Sequence, residues 1–273
     1  MAVRSTGLAK LSRPRLYEAL PRPRLFALLD DAATRPIVWV CAPPGAGKTT
    51  LVASYLEARN RRYVWYQADS GNILPQTLFV GGLPTTPTDT PPTWLTDIPT
   101  KQPLALITLG SVFTGDLGFF AWAAQAVARL RYIPVVVIGR NPIEHDKKAE
   151  LKAALPPNTR LLNWIPFDHV LPRTRLMVHH GGMGTTHAAV IHGIPQMAVP
   201  HAADQRGNAR RIAQAKVGFN LTAHEVRHGA LLEGATALTN DANTQANARQ
   251  LAADFAALGG AQKAAEALEN MLP

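Results

Sequence analysis

The sequence predicts an α/β protein whose larger part is a doubly wound parallel sheet with helices on both faces. Short, continuously apolar runs of strand length alternate with longer segments of helical pattern. Such runs are typical of parallel strands that are buried on both faces. One run also leads directly into a glycine-rich turn and a helix, which is the arrangement of a ligand-binding α/β sheet.

The elements of this sheet are predicted from residue 104 onwards. The predicted strands are Leu104–Leu109, Ile133–Ile138, Arg160–Trp164, Leu176–His179 and Gln196–Val199. The predicted helices are Phe119–Leu130, Thr185–His192 and Asn208–Ala215, then one or two alanine-rich helices within Ala242–Leu272, with a break at Gly259–Gly260. Strands and helices that alternate in this order indicate a Rossmann-like domain.

A smaller β-α-β segment is predicted before this domain, with a strand at Ile37–Cys41, a helix at Lys48–Ala58 and a strand at Tyr63–Gln67. Residues 84–103 are rich in proline and threonine. Because proline lacks an amide donor, we expect an extended linker or surface loop there. The predicted division is therefore a P-loop-like segment at 1–73, a linker at 74–103 and a ligand-binding domain at 104–273.

The composition favours a cytoplasmic protein without a nucleic-acid partner. The net charge is +9, and basic residues are dense between Arg4 and Arg24. No alternating pattern of aromatic residues accompanies them, so we expect a solvated basic arm. The start of the chain lacks the apolar core of a secretory signal, no apolar run approaches the ~20 residues of a membrane span, and Cys41 is the single cysteine.

A phosphate-binding loop is predicted at Ala42–Thr50, between a strand and a helix. Its expected ligand-binding residues are Gly45, Gly47, Lys48, Thr49 and Thr50. Glycine lets successive amides turn inwards, the lysine reaches terminal phosphates and a threonine hydroxyl holds Mg²⁺. None of the predicted strands ends in Asp or Glu, so we expect ATP and Mg²⁺ to be bound at most, without hydrolysis. A coincidental glycine-rich turn is the alternative.

Around this loop the chain resembles the start of the maltose-regulator-type, LuxR-related transcriptional activators. The similarity lies in two Arg-Pro-Arg-Leu stretches at 13–16 and 22–25, in Trp39–Leu51, and in the Trp-Tyr-Gln-Ala-Asp run at 65–69. It covers about residues 8–73 and then stops. This resemblance implies an ATP-binding regulatory module as one possible function.

The strongest group of motifs runs from Trp164 to Asn208. It contains W-I-P-F-D-H-V-L-P, M-V-H-H-G-G-M-G-T-T-H, H-G-I-P-Q-M-A-V-P and D-Q-R-G-N in that order. Further upstream, T-L-G-S-V at 108–112 covers the end of the first predicted strand and the loop after it. Over about residues 78–272 the chain resembles the C-terminal half of GT-B glycosyltransferases of the UDP-glycosyltransferase superfamily, especially bacterial macrolide-, lipid- and sterol-type members.

The glycine-rich turn has the chemistry of a diphosphate site independently of this resemblance. His180, Gly181, Gly182, Gly184 and Thr185 lie where a strand turns into a helix. Glycines allow a ligand to approach the backbone, and a helix N-terminus offers free amides and the positive end of a dipole. Gly110 and Ser111 follow another strand at the same carboxyl edge, where open α/β sheets bind ligands.

The resemblance implies roles for further residues. Trp164 would stack on the base, the Ile165 backbone would bond to the base edge, and Asp204 and Gln205 would contact sugar hydroxyls. Two positions depart from the family pattern: Ala188 stands where many members have a ribose-binding glutamate, and Phe167 where plant members have glutamine.

Simpler interpretations remain open for several of these residues. Asp204 could cap the following helix, and Trp164 could be a core residue. We expect His179 to be a packed strand-end residue rather than a ligand. The irregular spacing of His187, His192 and His201 argues against a metal cluster, and an NAD site lacks the full glycine fingerprint.

The predicted function is that of a glycosyltransferase donor-binding domain, which would bind a UDP- or dTDP-sugar for inverting transfer of the hexose to a hydroxyl acceptor. No counterpart of the GT-B acceptor-binding domain is evident, so we expect a separate acceptor domain or subunit to be needed. No resident cofactor or metal is expected beyond ATP and Mg²⁺ at the P-loop. An ATP-binding regulatory module and a non-catalytic nucleotide-binding protein are the alternatives.

Overall fold

The computed structural model describes residues 22–34, 48–61, 78–82, 90–110, 117–139, 143–202 and 204–270. The chain divides into two compact units, Met1–Leu78 and Phe79–Pro273. The strands predicted at Ile37–Cys41 and Tyr63–Gln67 lie outside the described residues. The proposed domain boundaries near residues 73 and 103 stay predictions.

In the first unit the structure describes two helices, α1 (Pro23–Ala32) and α2 (Lys48–Ala58), so the helix predicted from Lys48 is confirmed. One carboxylate joins them. Tyr55 donates a hydrogen bond to Asp30 at 2.9 Å, and Arg59 forms an ion pair with the same side chain at 2.6 Å. The ring of Tyr55 also packs edge-on against Phe26 of α1, with centroids 5.7 Å apart. These contacts fix the packing of α2 against α1.

The second unit contains a six-stranded parallel sheet. Its strands are β1 (Leu104–Thr108), β2 (Ile133–Val137), β3 (Arg160–Leu162), β4 (Thr174–His179), β5 (Gln196–Ala198) and β6 (Gly218–Asn220). Their order across the sheet is β3-β2-β1-β4-β5-β6, and every neighbouring pair is parallel. The predicted Rossmann-like parallel sheet is therefore confirmed, with β6 as a strand that the sequence pattern did not indicate.

Helices cover both faces of the sheet. They are α3 (Thr93–Thr96), α4 (Leu117–Arg129), α5 (His145–Ala154), α6 (Phe167–Val170), α7 (Met183–Ile191), α8 (Gln205–Gln214), α9 (Ala223–Arg227), α10 (Ala230–Asn240), α11 (Ala242–Ala257) and α12 (Gly260–Glu269). The predicted break between the last two helices is confirmed, and Gly259 adopts φ +91° there. Among the described helices, none has both the length and the apolar character needed to cross a membrane.

The central strand β1 shows why its apolar run is continuous. Ala105 and Ile107 belong to the core beneath Phe119 and Phe120 of α4. The alternate residues, Leu104 and Leu106, belong to the core on the opposite face. Since side chains alternate across a strand, both faces must be apolar when both are covered.

Part of the predicted linker is packed against the domain. Leu95 and Ile98 are buried, and the guanidinium of Arg173 donates to the backbone oxygens of both at 2.6 and 2.7 Å. Proline excludes a long helix here but not a single helical turn, because Pro92 precedes the turn and its missing amide donor costs nothing there. An extended conformation is therefore wrong for residues 93–98.

Candidate functional site

The candidate site lies at the carboxyl edge of the sheet, where β1 and β4 end side by side. Thr108 pairs with His179 in the sheet register, so the turns after both strands begin at the same level. The chain runs outwards from β1 through β2 to β3 and then returns to β4 on the other side of β1. Open α/β sheets bind ligands outside such a reversal of strand order.

His180 is enclosed by glycines from both turns. It is 8% exposed. A Cβ atom on Gly110 would lie 2.7 Å from Cε1 of the imidazole, and one on Gly182 would overlap its Nε2 and Cε1. Gly110 also has φ +75°, which favours glycine. The two glycines therefore leave room for the imidazole and fix its position.

The surroundings of His180 favour its neutral form. Burial lowers the pKa of His180, and the neighbouring His201 lowers it further, while the Asp204 carboxylate and the Thr108 backbone act in the opposite direction. A neutral imidazole has one N–H donor. The Thr108 backbone competes for that donor, and the Nδ1 atom is buried without a hydrogen-bond partner, so an anionic ligand that binds His180 would favour the protonated ring and raise its pKa.

His179 has the packing role expected from the sequence. It is fully buried, its Nδ1 accepts a hydrogen bond from the Gly181 amide at 3.1 Å, and its Nε2 lies 3.0 Å from Oε1 of Gln196. This pattern assigns the proton to Nε2. Burial lowers the pKa of His179 to about 3, so the ring is a neutral support of the glycine turn.

The N-terminus of α7 begins directly after this turn. Gly182 is the N-cap residue in an extended conformation, and within the described residues no side chain caps the helix. A Cβ on Gly184 would meet nothing within 4 Å, and Met183 is 57% exposed, whereas Thr185 is buried. The first turn of α7 thus offers backbone amides beside open space, which is the geometry of an anion site.

The two predicted sugar-contacting residues have different environments. Gln205 is buried, and its Oε1 accepts hydrogen bonds from the His201 and Ala202 amides at 2.8 and 3.0 Å. Its amide oxygen is therefore occupied by the loop after β5, and only Nε2 remains to be offered to a ligand. Asp204 is exposed and occupies the N-cap position of α8, but its side chain makes no capping hydrogen bond.

Asn208 is the site residue that the sequence interpretation missed. It is buried, and its Nδ2 donates to the Gly181 carbonyl at 2.9 Å and to Oδ2 of Asp204 at 3.1 Å. Its Oδ1 accepts a hydrogen bond from Arg211 at 3.1 Å. The only signal in the sequence was the final asparagine of the D-Q-R-G-N motif.

Trp164 and Ile165 follow β3 at the same edge of the sheet. The Trp164 side chain is 57% exposed, so the alternative of a core tryptophan is wrong, whereas Ile165 is buried in the core. Ser111 lies outside the described residues. Among the residues that the structure describes, no group of three or more His, Cys, Asp or Glu side chains could hold a metal.

Comparison with known proteins identifies the family of this part of the chain. Residues 136–271 match the family model of the Erythromycin biosynthesis protein CIII-like, C-terminal domain. This region belongs to that glycosyltransferase family. The match contains the glycine turn, α7 and α8, and therefore most of the candidate site.

Individual glycosyltransferases agree with this assignment. Oleandomycin glycosyltransferase of Streptomyces antibioticus is 32% identical over 173 residues, which are 63% of this chain and 39% of that protein. The calicheamicin glycosyltransferase structure has a TM-score of 0.64 at 23% identity and covers 90% of this chain and 65% of its own, which supports the fold. Glycosyltransferase VinC, solved in complex with dTDP, has a TM-score of 0.58 at 26% identity, over 69% of this chain and 46% of its own.

The chain spans about two fifths of the length of the curated glycosyltransferases it matches. These matches give no support to the phosphate-binding loop or to the regulator resemblance at residues 8–73. Gly45, Gly47 and the side chain of Lys48 lie outside the described residues, while Thr49 and Thr50 are exposed in the first turn of α2. The phosphate-binding loop stays a prediction.

In the CIII-like domain, the two departures from the superfamily pattern occupy packed positions. Ala188 on α7 and Phe167 on α6 both pack against the core beneath Leu104 and Leu106. The face of α7 that carries Ala188 therefore packs partly against the core. A ribose contact from this position is not available to an alanine side chain.

Proposed function

We propose that this chain is the donor-binding part of an inverting hexosyltransferase and binds the nucleoside diphosphate of a UDP- or dTDP-sugar at residues 180–185. The observation that carries the proposal is the position of His180, which is enclosed by Gly110 and Gly182 beside the uncapped N-terminus of α7. The imidazole thus lies beside the free backbone amides of α7, and Gly184 in the first turn of this helix borders open space.

This arrangement suits the leaving group of glycosyl transfer. The sugar departs from a nucleoside diphosphate, on which negative charge develops as the bond breaks. Donors that are already in place stabilise this charge without reorganisation, and removal of one such donor typically costs about 10²–10³-fold in rate. His180 and the first amides of α7 would act in this way, because Asn208 and His179 hold the turn on the side away from solvent.

The remaining contacts with the sugar nucleotide are inferred from where the other site residues lie. The exposed Trp164 ring would stack on the base, the Ile165 backbone would bond to the base edge, and Gly110 with Ser111 would line the turn after β1. Asp204 would accept hydrogen bonds from sugar hydroxyls, and Gln205 would offer only its Nε2 to them, since its oxygen binds the loop. Proteins similar in fold have been solved with thymidine diphosphate, which supports a nucleotide as the ligand.

Transfer also requires a base for the acceptor hydroxyl. His180 would be committed to the leaving group, on the side of the sugar opposite to the attacking oxygen, so it cannot also serve as this base. We propose that a separate acceptor-binding domain or subunit supplies the base and holds the acceptor in line. The chain alone would then bind the donor and at most hydrolyse it slowly.

Calorimetric titration of the chain with dTDP, UDP and ATP tests the proposal. We expect saturable binding of dTDP or UDP that is weakened by Trp164→Ala. Binding of ATP alone would favour the P-loop module instead. A screen of hydroxyl acceptors with radiolabelled UDP-glucose and dTDP-sugars should give no robust transfer by the chain alone, and robust transfer would overturn the requirement for an acceptor domain.

A further inference from the structure

A second cavity lies at the amino edge of the sheet, opposite to the candidate donor site. Its volume is about 440 Å³. Thr174 at the start of β4, Pro195 before β5 and Tyr132 before β2 all line it, together with residues of α10 and α11. The volume lies within the range of small-molecule sites, which are typically ~300–1,000 Å³.

The wall of this amino-edge cavity is apolar where it meets the sheet. Leu176, Ile194 and Leu238 line it, and each is at most 3% exposed as a residue. Three polar side chains on the wall already bind one another or the backbone: the hydroxyls of Tyr132 and Thr239 lie 3.4 Å apart, and Gln245 donates to the Thr239 carbonyl at 3.2 Å. The buried apolar side chains close the base of the cavity, and polar residues form the rest of its wall.

The rim is cationic and lacks a counter-charge. Arg175 and Arg249 line the cavity and are exposed, and its lining residues include no Asp or Glu. Within the described part of the chain, Arg249 has no hydrogen-bond or ion-pair partner for its guanidinium, and Arg175 makes one long bond to the Pro172 carbonyl at 3.3 Å. Both guanidiniums are thus available to an anion, for which arginine is a preferred partner.

We propose that this cavity binds a small organic anion with one carboxylate, sulfate or phosphate group. The anionic group pairs with Arg175 and Arg249, and the rest of the molecule lies in the cavity between them and the sheet. The site is independent of the donor site, because none of its lining residues belongs to the carboxyl edge. It can therefore be occupied while a nucleotide is bound.

Titration calorimetry with 2-naphthoate tests this site, and 2-naphthamide serves as a probe of the same shape without the charge. We expect naphthoate to bind the unmodified chain and naphthamide to bind at least about tenfold more weakly, since charge-assisted bonds are roughly twice as strong as neutral ones. The double variant Arg175→Gln/Arg249→Gln should weaken naphthoate binding by at least about tenfold.

Two control variants test whether naphthoate binds in this cavity. The variant Lys152→Gln/Arg210→Gln removes the same charge from exposed positions outside the cavity and should leave naphthoate affinity unchanged. Trp164→Ala should also leave it unchanged, unless the aromatic probe stacks in the donor site. Four results would each overturn the proposal. They are an equal loss of naphthoate affinity in the control and cavity variants, a loss of naphthoate affinity in Trp164→Ala, equal binding of the two probes, and no binding of naphthoate.

Discussion

The side-chain amide of Asn208 donates a hydrogen bond to the backbone carbonyl of Gly181 at 2.9 Å. The same nitrogen lies 3.1 Å from Oδ2 of Asp204. One buried side chain on α8 therefore sets both the orientation of the glycine turn and the position of an exposed carboxylate. Since the Gly181 carbonyl belongs to the peptide that carries the Gly182 amide, this bond also orients an amide of the proposed diphosphate site.

Asn208→Ala tests that relationship. The substitution leaves the Gly181 carbonyl without this partner in a buried position, which typically costs about 1–3 kcal/mol of unfolding free energy. Urea unfolding measures the cost. Asn247→Ala is the matched control, because it removes one exposed bond to the Lys216 carbonyl at 3.2 Å and should cost less than about 1 kcal/mol. Equal costs at the two positions would show that Asn208 does not hold the turn.

Two glycines of the same turn should respond differently to substitution by alanine. Gly182→Ala forces a methyl group into the His180 imidazole, so we expect a loss of about 1–3 kcal/mol in stability and weaker dTDP binding. Gly184→Ala adds its methyl group to open space at the start of α7, so stability should stay equal or rise by up to about 1 kcal/mol.

Gly184→Ala should nevertheless weaken dTDP binding, because the methyl group occupies space that the proposed diphosphate needs. Calorimetric titration and thermal unfolding of the same preparation separate the two effects. Unchanged dTDP affinity in a stable Gly184→Ala variant would place the diphosphate elsewhere.

The charge state of His180 should appear in the pH dependence of binding. Burial and His201 lower the pKa of the free imidazole, whereas a bound diphosphate raises it. A pKa that is raised on binding implies proton uptake, so dTDP affinity should increase as the pH falls from about 8 to about 6. The phosphate of the ligand itself can also change its charge in this range, so the comparison is with His180→Ala. That variant should bind more weakly, by about 1–3 kcal/mol, and with a shallower slope. Identical slopes would remove His180 from the diphosphate contact.

His179 should make the domain sensitive to acid. Its pKa falls from 6.5 to about 3 in the folded state, so below pH 6.5 the unfolded chain takes up a proton that the folded chain does not. Stability is therefore complete above pH 6.5 and is lost as the pH falls towards 3. Between about pH 7 and pH 5 this group accounts for about 2 kcal/mol. His179→Asn should be less stable at pH 7 but lose less on acidification, as urea unfolding at both pH values would show. An unchanged difference between the two pH values would contradict the buried neutral state.

The sequence predicted the sheet well because burial on both faces imposes continuous apolar strands. Leu104–Thr108 and Ile133–Val137 were identified within one residue at each end. The strand β6 was missed because Gly218, Phe219 and Asn220 carry no apolar run, and its pairing with β5 depends on tertiary context. The charged helix α5 likewise buries only Leu151, which gives little periodic signal.

The segments that form the candidate site could be predicted from the sequence, but the hydrogen bonds within the site could not. The glycine turn, His180 and Trp164 could be identified because strand-to-helix turns with glycine are local features. The role of Asn208 could not, since its bond to the Gly181 carbonyl joins residues that are 27 positions apart in the chain. The role of Gln205 could not either, because it depends on how the loop after β5 folds back onto the start of α8. The spacing of residues also could not show that the side-chain oxygen of Gln205 would bind the loop.

The most direct test of the proposed diphosphate site is a two-dimensional amide NMR titration of the ¹⁵N-labelled chain with dTDP. We expect the largest shifts at the amides of Gly181, Gly182, Met183, Gly184 and Thr185, with a further shift at the Trp164 indole, whereas His192, Gly193 and Gln245 at the opposite edge should stay unchanged. An absence of shifts in the glycine turn at saturating dTDP, or larger shifts at the opposite edge, would contradict a diphosphate site at residues 180–185.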